Sequence, residues 1–220
     1  MAGIRVLVTG FGPFPGIAEN PSAGLAERLV DRASTAFDAE FHARILPTEW
    51  GIKNLIESLY ATLQPHVMIH FGLSARAKTF RIERSAHNRT ATRIDAAGVL
   101  PASALIRPAG PDRYDTALPV RRLAAHLRAC GIPAIVSPSA GSYLCNFLYY
   151  QSLHWSRQQT NPCRVIFVHV PPPNVLTKEA MLLGGSETLR FMLGNAHERT
   201  TRGGSGISPR DTPGLRAREM

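Results

Sequence analysis

The chain has 220 residues, 44% of them hydrophobic and 19% charged, so it can bury a core and is not an intrinsically disordered protein. Its 18 glycines and 17 prolines follow no period, which excludes collagen-like and solenoid folds, and no apolar run reaches the roughly 18–20 residues of a membrane span. The net charge of +9 rests on arginines spread over helix faces and loops, not on a basic stripe with interleaved aromatics, so no nucleic-acid partner is expected.

Ile4–Thr9 (IRVLVT) is a β-branched run that predicts a buried first strand. With one arginine and no long apolar stretch around it, this start does not read as a signal peptide, and a cytoplasmic location is expected. Gly10–Gly16 (GFGPFPG) reads as a loop, and Asn20-Pro21 as the N-cap and first residue of a helix. Phe41–Leu46 reads as a strand. Glu49–Gln64 reads as a helix with Trp50, Leu55, Leu59 and Leu63 as its apolar positions, and Pro65 ends it. His66–Gly72 predicts a second buried strand and Phe80–Arg84 a short one. Arg89–Pro119 reads as loop, Leu118–Cys130 as a helix stopped by Gly131, and Ile132–Ser137 as a strand. Gly141–Trp155 is expected as a helix, Arg164–Val170 as the last strong strand, and about Thr177–Ala196 as a helix weakened by Gly184 and Gly185. Strands alternate with helices, which predicts a single-domain open α/β/α sandwich around a mostly parallel twisted sheet over residues 1–198. Residues 199–220 are too polar to fold and are expected to be a disordered tail.

In such a sheet, sites gather at the carboxyl ends of strands. The first loop there is GxGxxxG, and Pro13 and Pro15 remove N–H groups that a dinucleotide fingerprint would aim at pyrophosphate, so no nucleotide cofactor is expected. Its Phe11 and Phe14 either plug the core or wall an apolar pocket. Of Cys130, Cys145 and Cys163, only Cys145 falls near a helix start, where unpaired N–H groups favour a thiolate; the alternative is a small buried hydrophobe. The cysteines are odd in number and form no CxxC pair, so neither a disulfide framework nor a structural zinc site is expected. His169 closes the last strong strand and His70 sits similarly in HVMIHFG; either could serve as a base, or be a hydrogen-bonded structural histidine. Glu83, between Arg81 and Arg84, is either a surface ion pair or the carboxylate that orients an imidazole. No HExxH, P-loop or spaced carboxylate pair is present, so no metal is expected.

The pieces VLVTGFGPF…NPS, IER-x-A-x-N, AG-x-YLCN and FVHVP, in this order over about residues 4–175, resemble pyroglutamyl peptidase I. That family comprises cysteine peptidases that remove an N-terminal pyroglutamate (5-oxoproline) from peptides. The resemblance implies a catalytic triad of Glu83, Cys145 and His169, with Phe11 and Phe14 sandwiching the lactam ring and Arg93 near the reacting carbonyl. It further implies that backbone groups of the loop at Leu73 hold the lactam, that no cofactor is used, and that the chain assembles as a homo-oligomer, commonly a tetramer. Its partners would be peptides with N-terminal pyroglutamate. The sequence departs from the family's wording at Gly72-Leu73-Ser74-Ala75-Arg76-Ala77, where a glycine pair and arginine are frequent, and at Arg93-Ile94-Asp95-Ala96-Ala97, where Arg-Ile-Pro-Asp-Asn is frequent. Two rival readings are a thiol hydrolase of different acyl specificity and a non-catalytic or weakly active binding protein on the same scaffold, recognising a lactam or a peptide N-terminus.

Overall fold

A computed structural model describes residues 3–202, with side chains through residue 194. Strands β1 (Arg5–Phe11), β2 (Glu40–Leu46), β3 (Val67–Leu73), β4 (Phe80–Glu83), β7 (Ala134–Ser137) and β8 (Arg164–Val170) form one six-stranded sheet in the order β2-β1-β3-β8-β4-β7. A ribbon of β5 (Ser85–His87) and β6 (Arg113–Asp115) stands apart from it. Within the six-stranded sheet the pairings are parallel except one: β4 runs antiparallel to β8, with Arg81 opposite His169 and Glu83 opposite Phe167, and the ribbon of β5 and β6 is itself antiparallel.

The two-residue alternation of the strands divides the core into two layers. Val6, Val8, Ile69, Phe71, Phe80, Ile82, Ile166 and Val168 face one side, under α1 (Pro21–Ala36), α3 (Val120–Ala129) and α5 (Lys178–Arg202). Leu7, Phe11, Met68, Val165 and Phe167 face the other, under α2 (Lys53–Leu63) and α4 (Leu144–Arg157). Each fully buried Leu or Phe contributes about 1.5–3 kcal/mol, so these layers hold the sheet that carries the site.

Helix α1 starts as expected: Asn20 caps it, accepting from the Ser22 N–H at 3.2 Å, and Pro21 is its first residue. The first strand extends to Phe11, beyond the expected Thr9, because Gly10 and Phe11 continue in register with Ile45 and Leu46. The helix after Glu49 opens with a short 3-10 turn (Trp50–Ile52), and its buried face is Ile52, Ile56 and Tyr60, whereas Leu55 is exposed. Of the expected apolar positions, Trp50 is buried and Leu59 and Leu63 pack against the core, and only Leu55 is corrected, because the buried face runs through Ile56 instead. The segment expected as loop over 89–119 also contributes β6. Gly184 and Gly185 let α5 lie close: a Cβ at Gly184 would come 2.6 Å from the Phe80 ring, and one at Gly185 3.2 Å from Leu25. Helix α5 runs to Arg202, four residues into the segment expected as a tail; the rest of that segment, 203–220, lies outside the described residues. Among the described residues no helix is long and apolar enough to cross a membrane.

At Gly10 an added Cβ would run into the Ser22 carbonyl and come 2.8 Å from the Ala23 Cα, both backbone atoms at the start of α1. Backbone cannot swing aside as a side-chain tip can, so Gly10→Ala should cost about 2–3 kcal/mol. Urea unfolding checks this; an unchanged midpoint would contradict the close seating of α1 on β1.

Candidate active site

Helix α4 begins at Leu144, three residues later than Gly141, because Gly141 lies at φ +88°, where a right-handed helix cannot continue. Its N-cap Tyr143 supplies no side-chain hydrogen bond, so the positive end of the helix is uncapped beside Cys145, its second residue. Asn146 fastens this first turn: its side chain accepts from the His87 N–H at 2.7 Å and donates to the His87 and Arg89 carbonyls at 2.8 and 3.0 Å. The Cys145 sulfur lies over Gly72 of β3, where a Cβ would come 2.9 Å from Sγ and 2.8 Å from the Phe167 ring. Only glycine leaves room there for the sulfur.

Gly72 is in register with His169 on the neighbouring strand. His169 points to the α4 side, as Val165 and Phe167 do, and is hydrogen-bonded to Cys145. Its Nδ1 lies 2.8 Å from Glu83 Oε1. A carboxylate only accepts, so Nδ1 carries the proton and Nε2 is the nitrogen that serves the thiol. Burial works against the imidazolium, but the charge and hydrogen bond of Cys145 and those of Glu83 outweigh it, raising His169 to about 9. Glu83 is 1% exposed, and Arg81 Nε stands 3.7 Å from the same oxygen. The surface-ion-pair reading of Glu83 is thereby corrected, since the carboxylate points into the core. Tyr149, further along α4, donates to the Glu83 carbonyl at 3.1 Å, so the helix that carries the thiol also pins the end of β4.

His70, weighed as the alternative base, is fully buried; its Nδ1 is 2.8 Å from Thr9 Oγ1, and burial pushes it down to about 3. It is a neutral core histidine, bonded to a hydroxyl rather than to a thiol.

The remaining candidates lie at the carboxyl ends of β1 and β3 and in the loops that follow β1 and β5. Phe11 is buried in the cluster against which Tyr143 and Cys145 pack, and its N–H donates to Ser22 Oγ at 3.0 Å. Phe14 is half-buried, pairs through its backbone with Ile17, and lines a shallow cleft with Pro13, Ile17 and Ala96. Leu73, half-buried, pairs with Val170, and in the loop after it the Ser74 and Ala77 N–H groups are taken up by the Val170 and Ser74 carbonyls. Arg93 is exposed and lies 4.7 Å above the Tyr143 ring, two residues before Cys145.

The sequence reading did not assign a role to the groups that fix Arg93. Trp50 Nε1 donates to the Arg93 carbonyl at 2.9 Å, and the Tyr143 hydroxyl to the Ile94 carbonyl at 2.9 Å. The buried Asp95 carboxylate accepts from the Trp50 N–H at 2.8 Å and from the Ala97 and Val99 N–H groups at 2.9 Å. Burial would raise its carboxyl, but these backbone donors outweigh that and hold it below its usual value. Asp95, one of the departures from the family wording, thus ties the loop to the start of the 3-10 turn. The signal was present in the sequence as an Asp two residues before a small residue in a turn. Among the described residues, the cluster of three possible metal donors, His126, Cys130 and Glu187, belongs to the other layer.

The pyroglutamyl peptidase family model matches residues 4–184 of the chain. The chain is 37% identical over 179 residues to the pyrrolidone-carboxylate peptidase of Pyrococcus furiosus, covering 80% of this chain and 85% of that one. It is 38% identical over 190 residues to the Chromobacterium violaceum pyrrolidone-carboxylate peptidase, covering 84% and 85%. Among solved structures, the Thermococcus litoralis pyrrolidone carboxyl peptidase superposes with a TM-score of 0.81 at 29% identity, over 89% of this chain and 96% of that one. The Bacillus amyloliquefaciens pyroglutamyl peptidase I gives 0.78 at 27%, over 87% and 97%.

The three thiols are not equivalent. Burial pushes the Cys163 thiol far up, and burial with the Glu187 carboxylate pushes Cys130 up. Iodoacetamide at neutral pH should therefore label Cys145 first, by at least about tenfold in rate. Peptide mapping by mass spectrometry reads this, and faster labelling of Cys130 or Cys163 would contradict the environment described for Cys145.

Proposed function

The chain belongs to the pyroglutamyl peptidase family, and from that premise we propose how its own residues remove an N-terminal pyroglutamyl residue from a peptide. It is a cysteine omega peptidase. The observation that carries the assignment of roles is the continuous contact from Cys145 through His169 to the buried Glu83.

His169, held as the imidazolium, already carries the Cys145 proton on Nε2, and the thiolate attacks the carbonyl carbon of the pyroglutamyl residue. The oxygen of the tetrahedral intermediate gains negative charge, which the uncapped N–H groups of the first turn of α4 are suited to stabilise. Arg93, held above Tyr143, adds positive charge at the same end of the helix. The intermediate collapses with cleavage of the C–N bond, and Nε2 returns its proton to the departing amine. Water then gives a proton to Nε2 and attacks the thioester, whose C–S bond breaks with its electron pair going to sulfur, releasing pyroglutamate and restoring the thiolate–imidazolium pair. Glu83 accepts from Nδ1 throughout and stabilises the imidazolium without taking its proton.

Pyroglutamate is a flat, uncharged ring, and the apolar wall near Cys145 suits it. Phe11 is buried in that wall, and Phe14, half-buried beside Ala96, is assigned the outer side. The Leu73 backbone is assigned to the lactam. A free α-amino group would lose its hydration here without a partner, which sets the specificity against ordinary N-termini. A cytoplasmic location is supported by three free cysteines, one of which must stay reduced to act. A homo-oligomer is supported by the exposed Ile94, Val99, Leu100 and Leu105 gathered in one loop.

With a pyroglutamyl-amide reporter, Cys145→Ala and His169→Ala should be nearly inactive and Glu83→Gln reduced by about tenfold or more. Wild-type activity in Cys145→Ala would end this mechanism, and prolyl or alanyl reporters cleaved equally well would end the lactam specificity. The pH profile supplies an independent check. The imidazolium that protonates the leaving amine survives to about pH 9, so activity should fall as pH rises through that value. Glu83→Gln removes a group that favours the imidazolium, so the alkaline limb should move to lower pH; a limb that stays in place would contradict the role of Glu83.

A further inference from the structure

Three side chains that the reaction does not use converge in the layer on the far side of the sheet from Cys145. His126 and Cys130 are four residues apart at the end of α3 and so share a face. Glu187 of α5 meets both: its Oε2 lies 3.0 Å from His126 Nε2 and 3.7 Å from Cys130 Sγ. One donor atom from each residue lies within 4.8 Å of the other two. Arg190 Nε stands 3.4 Å from the other oxygen, Oε1, which leaves Oε2 turned toward the imidazole and the thiol.

We propose that His126, Cys130 and Glu187 form a binding site for a zinc-class divalent ion that ties α3 to α5. Bonds of about 2.0–2.3 Å at tetrahedral angles place neighbouring donors about 3.3–3.6 Å apart, so the 3.0 and 3.7 Å separations need only small side-chain movements. One thiolate, one imidazole and one carboxylate make a borderline-soft set that suits zinc or cobalt. Calcium and magnesium take oxygen donors instead. The site is half-buried, His126 being 33% and Glu187 14% exposed, so water has access to a fourth position. Arg190 orients the carboxylate from outside, as the hydrogen-bonded neighbours of metal ligands do.

A second catalytic centre is the weaker reading of the same residues. The Cys130 thiol meets a carboxylate rather than an imidazole, and a neighbouring negative charge disfavours the thiolate. A divalent cation reverses that balance by neutralising the carboxylate and taking the sulfur as a ligand. The sequence expectation of no metal rested on the missing CxxC and HExxH spacings. Here two ligands share one helix, and the third lies 57 residues after Cys130.

Because Cys145 and His169 are donors too, the test uses the full-length Cys145→Ala chain and reads metal binding. Titration with Co²⁺ should show one equivalent bound, with a near-ultraviolet thiolate-to-cobalt band and visible bands of tetrahedral intensity. Zn²⁺ should displace the cobalt and raise the melting temperature. Adding Cys130→Ser should abolish the thiolate band and the zinc-dependent rise. Adding His126→Asn or Glu187→Gln should weaken Co²⁺ binding at least about tenfold. The His126→Asn arm leaves the thiol in place and keeps the test decisive should Cys130→Ser not fold. Absence of a thiolate band in Cys145→Ala, its survival in Cys130→Ser, or unchanged affinity in both His126→Asn and Glu187→Gln would overturn the proposal.

Discussion

A carboxylate that is 1% exposed, as Glu83 is, must be compensated, because an unpaired buried charge costs several kcal/mol or forces protonation. The compensation comes from His169 Nδ1 at 2.8 Å and Arg81 at 3.7 Å, and the sheet is arranged to provide it. Were β4 parallel to β8 in this register, as it is to its other neighbour β7, Glu83 would not lie diagonally across from His169. The single antiparallel pairing puts the last residue of β4 opposite Phe167, with the next residue on that face of β8 being His169. The one irregular pairing of the sheet is thus the one that assembles the site.

The thiol arrives from a different direction, and the same helix answers for both ends of the triad. Cys145 sits in the first turn of α4, and Tyr149, four residues later, holds the Glu83 carbonyl. Gly72, in register with His169, admits the sulfur to the sheet surface. A side chain on β3 would hold the thiol away from His169, and a displacement of about 1 Å at a reacting atom can cost about a hundredfold in rate. The opposite layer, with α1, α3 and α5, contributes none of the triad. It can carry a separate ion site without interfering with the chemistry.

Much of this was legible in the sequence where one local rule dominates. Asn20-Pro21 set the start of α1, the β-branched run RVIFVHV set β8, and small residues before Cys145 marked a helix start. Signals that depend on tertiary context were not legible. His70 and His169 close similar apolar runs, and burial against Thr9, not spacing, makes the first inert. Arg81-Ile82-Glu83-Arg84 looks like a surface charge run, yet strand alternation turns Glu83 inward with Arg81 beside it. The exposed Leu55 and the buried Ile56 differ by one position on a helix, a rotation that composition cannot specify. Gly184 and Gly185 read as helix weakeners because what they accommodate, the Phe80 ring and Leu25 respectively, lies on elements a hundred residues or more earlier.

The central claim is that His169 is held as an imidazolium by its two partners, while His70 is held neutral. Nuclear magnetic resonance of the imidazole groups over a pH series measures this directly. The account predicts that His169 titrates at about 9 in the wild type and at lower pH in both Glu83→Gln and Cys145→Ala, while His70 stays neutral down to about pH 3. A His169 that titrates near 6.5, indifferent to both substitutions, would contradict it.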